Sequence, residues 1–256
     1  MLAKTKIKLI RSIEHKKYRE QHGLFVIEGE KIVREAIASS FIVECVLAKR
    51  AWLEQIPDSL IAKVSEIIEI SDKELSQISF LKTPNQAVAL VRIPQHTLDI
   101  TKLIDGLSLY LDQVQDPGNL GTIIRLADWF GIPHVLCGEG CADPFNTKTV
   151  RSTMGAIIRV KTYKTDDSFF QQLKDYYPSF PVYGTFLDGE SLYNVPLSNK
   201  AVIVMGNEAR GINSYIAQHI KQRLLIPQYS LDQLTSESLN VATAAAIVCA
   251  EFRKRA

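Results

Sequence analysis

Four cysteines in 256 residues, at positions 45, 137, 141 and 249, are too few and too unevenly placed to staple a fold. Cys249 also sits in an apolar stretch, and reduced thiols of a cytosolic protein are the expectation. No apolar run reaches the ~18 residues that a membrane helix needs. The N-terminus carries lysines but lacks the hydrophobic segment of a signal peptide. Both absences predict a cytoplasmic protein of bacterial type. Nucleotide fingerprints are missing too: no GxGxxG follows a strand-like run, and Gly138-Glu139-Gly140 alone is better read as a loop. Neither GxxxxGK[ST] nor GxSxG occurs, which removes the phosphate loop and the serine-hydrolase elbow. His134, Cys137 and Cys141 cluster, but no further ligand set has zinc-like spacing, so no metal is expected.

The chain is 46% hydrophobic and 23% charged, as in soluble globular proteins, and long enough for two domains with their own cores. The net charge of +2 says little, but its distribution says more. Residues 1–20 hold seven basic side chains (Lys4, Lys6, Lys8, Arg11, Lys16, Lys17 and Arg19) against Glu14 and Glu20. Such a patch can meet phosphates; a solvated basic helix explains the charges equally well.

Along the chain, residues 4–20 read as an amphipathic helix, 24–28 as a strand, 29–38 as a helix and 42–47 as a strand before a short helix through Trp52. A brief strand is expected at 61–64. Ser71 and Glu74 have capping-box spacing for a helix ending near Ser79, and 87–93 is strand-rich. Residues 1–95 thus form a small α/β unit, and the polar stretch 96–102 is the linker candidate. In 103–256 strands are expected at 107–111, 134–137, 157–161, 181–185, 201–205 and 224–226. A helix runs over 119–130, and others lie between the strands. Alternation of this kind predicts a mostly parallel sheet.

Three segments carry candidate chemistry. In Asp116-Pro117-Gly118-Asn119, Pro, Gly and Asn make a tight strand-to-helix turn with Asn119 as N-cap. In the helix that follows, Leu120, Ile123, Ile124, Ala127 and Phe130 share one face and Arg125 points to the other. A buried strand, Ala201–Met205, then ends at Gly206-Asn207-Glu208 and delivers a carboxylate to its tip. Lastly Leu224-Leu225-Ile226 stops at Pro227, and Ser238-Leu239-Asn240 leads into an apolar helix, with Ser238, Asn240 or Ser236 as possible caps. Ligands of open α/β sheets bind at the carboxyl ends of strands, where all three segments converge.

Together the segments resemble the three motifs of the SpoU (TrmH-type) family of RNA ribose 2′-O-methyltransferases, in the SPOUT superfamily. The first is DPGNLGTIIRLADWFG (116–131), the second VMGNEARG (204–211), and the third runs from LLIP (224–227) to SLNVATAAAI (238–247). FVIEGEKIVREAI (25–37) also resembles the ribosomal-protein-like RNA-binding domain that precedes many members. The chain departs from the family pattern at Ala209, at Gln228-Tyr229 and at Ala242. The resemblance implies a C-terminal trefoil knot, an exception to unknotted topology, with S-adenosylmethionine held in it. It further implies a homodimer and an RNA substrate, with ribosomal RNA favoured over tRNA by the preceding domain.

Family roles carry over to Asn119, Arg125, Glu208, Ser238 and Asn240 around the reacting ribose, and to backbone at Thr185, Gly206, Ile226 and Leu239 around the cofactor. Arginine is essentially never deprotonated in proteins, so Arg125 is expected to stabilise the forming alkoxide rather than act as a general base. The apolar last helix, with Ala242, Ala244, Ala245 and Ala246, calls for burial in the knot or against a partner chain. The rival readings are a tRNA-directed enzyme and a catalytically silent RNA-binding protein of the same fold.

Overall fold

The computed structural model describes residues 2–229 and 238–254. Contacts divide the chain into two units: residues 1–95 together with 143–158, and residues 96–142 together with 159–256. Residues 143–158 therefore pack with the N-terminal unit, although by sequence they fall within 103–256.

The N-terminal unit runs α1 (Lys4–Ser12), α2 (Lys16–His22), β1 (Leu24–Glu28), α3 (Glu30–Ala38), β2 (Val43–Ala48), α4 (Arg50–Leu53), α5 (Asp58–Ile61), β3 (Glu66–Glu69), α6 (Asp72–Ile78) and β4 (Ala87–Arg92). Its sheet has the order β1-β4-β2-β3, with β4 antiparallel to both neighbours and β2 parallel to β3. Ala87–Val91 are all buried, so this central strand lacks the alternation of a half-exposed one.

The basic segment is two helices rather than one. The break at residues 13–15 leaves carbonyls without helical partners, and Arg19 satisfies them by donating Nη1 to Ile13 O (2.8 Å) and Glu14 O (2.6 Å). The same guanidinium donates to Asp143 at 2.8 and 3.1 Å and is only 1% exposed. One of the seven basic side chains is thus a core group. The capping box at Ser71 and Glu74 is present. The strand expected at 61–64 is instead the end of α5 and a turn, and the strand lies at Glu66–Glu69.

The second unit opens with α7 (Ile100–Leu103), which begins in the expected linker, then β5 (Leu107–Leu111), α8 (Pro117–Trp129) and β6 (His134–Cys137). After α9 (Thr147–Ser152) and a 3₁₀ turn (Ala156–Ile158), both in the first unit, come β7 (Lys161–Lys164), α10 (Ser168–Tyr176), β8 (Val182–Ser191), β9 (Ala201–Met205), α11 (Ser214–Ala217), β10 (Gln222–Leu225) and α12 (Val241–Lys254). The strand expected at 157–161 thus begins later, after the 3₁₀ turn. The six strands are ordered β10-β8-β9-β5-β6-β7, and every pair is parallel.

The chain builds outward from β5 to β7 and then crosses back to lay β8, β9 and β10 on the other side. The reversal falls between β5 and β9, where the strand-end rule expects a ligand crevice. β5 and β9 are buried at every position, because helices cover both sheet faces. On one face Tyr110, Val202 and Val204 pack with Phe169, Phe170 and Leu173 of α10. α8 packs against α12.

Candidate active site

Each expected site segment leaves the carboxyl end of a strand. After β5 the chain turns into α8, and the N-cap is Asp116, whose Oδ1 accepts from Asn119 N at 2.9 Å. This corrects the expectation of Asn119 as cap: Pro117 takes the first helical position, where its missing N–H is harmless. Asn119 lies in the first turn with its amide free for other work.

After β9, Gly206 begins a tight loop closed by reciprocal main-chain hydrogen bonds between Asn207 and Gly211, both 2.9 Å. A side chain at Gly206 would place its Cβ 2.5 Å from Gly211 C and 2.7 Å from Ile212 N, so only glycine fits this approach. Asn207 Oδ1 accepts from Ala209 N and Arg210 N, and its Nδ2 donates to Gln113 O at 2.9 Å. Glu208 is thereby presented at the loop's tip.

Three donors converge there on one oxygen. Glu208 Oε1 accepts from Asn119 Nδ2 (2.8 Å), Asn240 Nδ2 (2.7 Å) and Val241 N (3.0 Å). Asn240 Oδ1 meanwhile accepts from Ala242 N and Thr243 N at the start of α12, so Asn240 both caps the helix and reaches Glu208. Ser238 Oγ reaches Glu208 O at 3.4 Å. Ser236, the other possible cap, lies outside the described residues. The structure thus joins Asn119, Glu208, Ser238 and Asn240. Arg125 is not joined to them: it is exposed on α8 and absent from the walls of the adjoining cavity.

That cavity, of about 560 Å³, is walled by Thr185, Phe186 and Leu187 of β8, by the loop from Met205 to Ile212, by Arg223, Leu225 and Ile226, and by Ser238, Leu239, Val241 and Ala244. All four residues expected to offer backbone to a cofactor are among these walls. β8 makes room by leaving its ladder: Arg223 pairs with Gly184 but Leu224 with Glu190, so 185–189 bulge out. The Arg223 guanidinium lies 3.5 Å above the Phe186 ring, a cation–π contact that steadies this wall.

The other sequence cluster has separate structural duties. His134 Nδ1 is 3.1 Å from Tyr163 OH, and burial, aided by Lys161, pushes its pKa down. Cys141 donates to Leu111 O, and burial raises its thiol to about 11. Among the described residues no three His, Cys, Asp or Glu side chains are grouped to hold a metal ion.

A cavity at the carboxyl ends of β8, β9 and β10, with the Glu208 carboxylate and the Asn207 amide on its wall, defines an α/β protein with a strand-end crevice. The SpoU rRNA Methylase family model matches residues 106–250, and the MRM3-like substrate binding domain model matches residues 4–89. The chain belongs to the SpoU rRNA Methylase family. It is 34% identical over 250 residues, 97% of this chain and 96% of the other, to the 23S rRNA (guanosine(2553)-2'-O)-methyltransferase RlmP of Bacillus subtilis. A solved chain from Porphyromonas gingivalis, ascribed to the TrmH family of RNA methyltransferases, superposes with a TM-score of 0.88 at 39% identity over 100% of both chains. The AdoMet-bound rRNA methyltransferase of Sinorhizobium meliloti superposes with a TM-score of 0.87 at 28% identity, over 99% of this chain and 96% of that one.

Proposed function

We infer that this protein transfers the methyl group of S-adenosylmethionine to a ribose 2′-hydroxyl of ribosomal RNA. The observation that carries this is the meeting of Asn119, Glu208 and Asn240 on one oxygen beside the cavity. Relatives named as rRNA methyltransferases, one of them bound to AdoMet, support the substrate and the cofactor. The cavity fits that cofactor: its volume lies in the ~300–1,000 Å³ range of small-ligand sites, its walls are largely apolar, and one wall is the tight loop that only Gly206 lets close.

When bound, S-adenosylmethionine supplies a methyl group on a positively charged sulfur. The hydroxyl proton passes to solvent, and the chain's own residues must orient the ribose and stabilise the charge forming on its oxygen. Glu208 holds the Asn119 and Asn240 amides in fixed directions, which lets them position the hydroxyl. Ser238 sits beside them as a further hydroxyl contact. Arg125 stabilises the developing alkoxide as a fixed positive charge, with Thr185, Gly206, Ile226 and Leu239 contacting the cofactor through backbone.

In this reading a homodimer brings Arg125 to the cluster. Two surface features favour it: Trp129, on the same helix as Arg125, is 83% exposed, and Ala246 and Ile247 of α12 are half-buried. The trefoil knot belongs to the same reading, with the third segment threaded past the second; the bonds from Val241 and Asn240 back to Glu208 favour it. Residues 1–95 serve as the RNA-binding unit, supported by the substrate-binding family model. A cytoplasmic location goes with a ribosomal substrate. Among the described residues no helix is long and apolar enough to cross a membrane.

The test is transfer of labelled methyl from S-adenosylmethionine to ribosomal RNA, with 2′-O-methyl sites mapped in cells with and without the protein. Binding of RNA without any methyl transfer would leave the silent-binder reading, and label only in tRNA would move the substrate.

A further inference from the structure

Behind the cluster lies a second polar network that the transfer step does not use. Asp112, the first residue after β5, is 2% exposed. Its Oδ2 accepts from Asn213 N at 2.6 Å and its Oδ1 from Asn213 Nδ2 at 3.3 Å. Asn213 closes the loop that begins at Gly206, and its own Oδ1 caps α11 by accepting from Ile216 N at 2.9 Å. The other hydrogen of the Asn213 amide points to Asp167 Oδ2 at 3.4 Å, while Asp167 Oδ1 accepts from Tyr110 OH at 3.1 Å. One residue along from Asp112, Gln113 adopts φ 54°, unusual for a non-glycine, and its carbonyl receives Asn207 Nδ2 at 2.9 Å.

The loop bearing Glu208 is therefore tied at both ends to one two-residue turn: Asn207 to Gln113, and Asn213 to Asp112. We propose that Asp112 is a positioning residue, bracing the 206–213 loop through Asn213 so that its main chain stays shaped for the methyl donor; this rests on the cofactor reading of the cavity. A buried carboxylate is costly unless paired. Here burial raises the Asp112 pKa, the Asn213 bonds lower it, and the neighbouring Asp167 raises it again. Tyr110 and Cys141 are the other titratable groups facing it. Keeping a carboxyl group in such a place makes sense where the direction of its two oxygens matters, because they receive both Asn213 donors.

Asp112→Asn opposes an amide to the Asn213 amide, donor against donor. The expected result is a rise of about tenfold or more in the dissociation constant for S-adenosylmethionine, the loss of a hydrogen bond to a charged group. The exchange variant, Asp112→Asn with Asn213→Asp, restores a donor–acceptor pair and keeps a cap on α11; with Asp167→Asn added, so that no carboxylate faces the new one, most of the affinity returns. Asn213→Ser keeps a cap and the main-chain donor to Asp112 but removes the amide donors; it is expected to weaken binding several-fold in a chain that still folds, with a lowered melting temperature, and it decides the matter if Asp112→Asn does not fold. Calorimetric titration of the full chain with S-adenosylmethionine, beside thermal melts, reads all three. Wild-type affinity in folded Asp112→Asn, or in Asn213→Ser, overturns the proposal. A wild-type chain that binds no S-adenosylmethionine overturns the cofactor reading instead.

Discussion

Asn240 Nδ2 donates to Asn119 Oδ1 at 3.1 Å across 121 positions of chain, and both amides also donate to Glu208 Oε1. The carboxylate is the only member of the trio that can accept from both partners without donating, and this makes it the hub.

Removing the hub should release both amides. Glu208→Ala is expected to lower the methyl-transfer rate by about 10²-fold, the scale of losing a preorganised polar group at a reacting centre. Because Glu208 is exposed, the melting temperature should stay close to that of the wild type. Single-turnover transfer beside a thermal melt checks this, and an unchanged rate counts against the assignment.

A substitution at Arg125 tests binding apart from chemistry. Arg125→Ala should keep the wild-type dissociation constant for S-adenosylmethionine, since the side chain is not in the cavity wall, but lose turnover. Titration calorimetry and labelled transfer on the same preparation distinguish the two effects. Undiminished methylation would refute the role.

Gly206→Ala introduces a Cβ 2.5 Å from the main chain of Gly211. No flexible side chain can yield there, so the loop itself must move. Affinity for S-adenosylmethionine should fall at least about tenfold, equivalent to ~1.4 kcal/mol. Retention of full affinity would show that the loop is not part of the site.

In the N-terminal unit, Arg19→Met strands the Asp143 carboxylate and the carbonyls of Ile13 and Glu14. Breaking a buried pair from one side costs about 3–5 kcal/mol. The double variant Arg19→Met with Asp143→Leu should recover part of that loss, because no charge is left unpaired. Chemical denaturation of the three proteins measures it, and a double variant weaker than both singles would contradict the account.

The capping box sets a pH dependence. Hydrogen bonds from the Ser71 backbone, then from its hydroxyl and from the Leu2 backbone, hold Glu74 at about 2, below its ordinary 4.5. A depressed carboxylate stabilises the fold fully above its unfolded pKa, and the contribution disappears as pH falls through the folded value. Glu74→Gln should therefore be less stable than wild type at neutral pH, and the two should converge between about pH 4.5 and about pH 2. Melts across that range check it; a constant difference would rule out the linkage.

Local chemistry made much of this protein legible from its residues. Leu107–Leu111, His134–Cys137 and Ala201–Met205 are strands with the expected bounds, because a short apolar run between turn residues has few other uses. Ser71 and Glu74 form their box because both partners sit within one helical turn. Expectations slipped where neighbours compete: Asp116 takes the cap from Asn119, and β3 begins at Glu66 because Cys45 of β2 pairs with it there.

What the tertiary structure alone decided is which distant groups share an atom. Sheet order sets β9 beside β5, and that adjacency brings Glu208 to Asn119 and Asn213 to Asp112 across 89 and 101 positions. It also turned Arg19 from one basic residue among seven into the buried partner of Asp143. Propensity and capping act within a few residues and can be read along the chain. Long-range hydrogen bonds depend on how strands are stacked, and no periodicity records that.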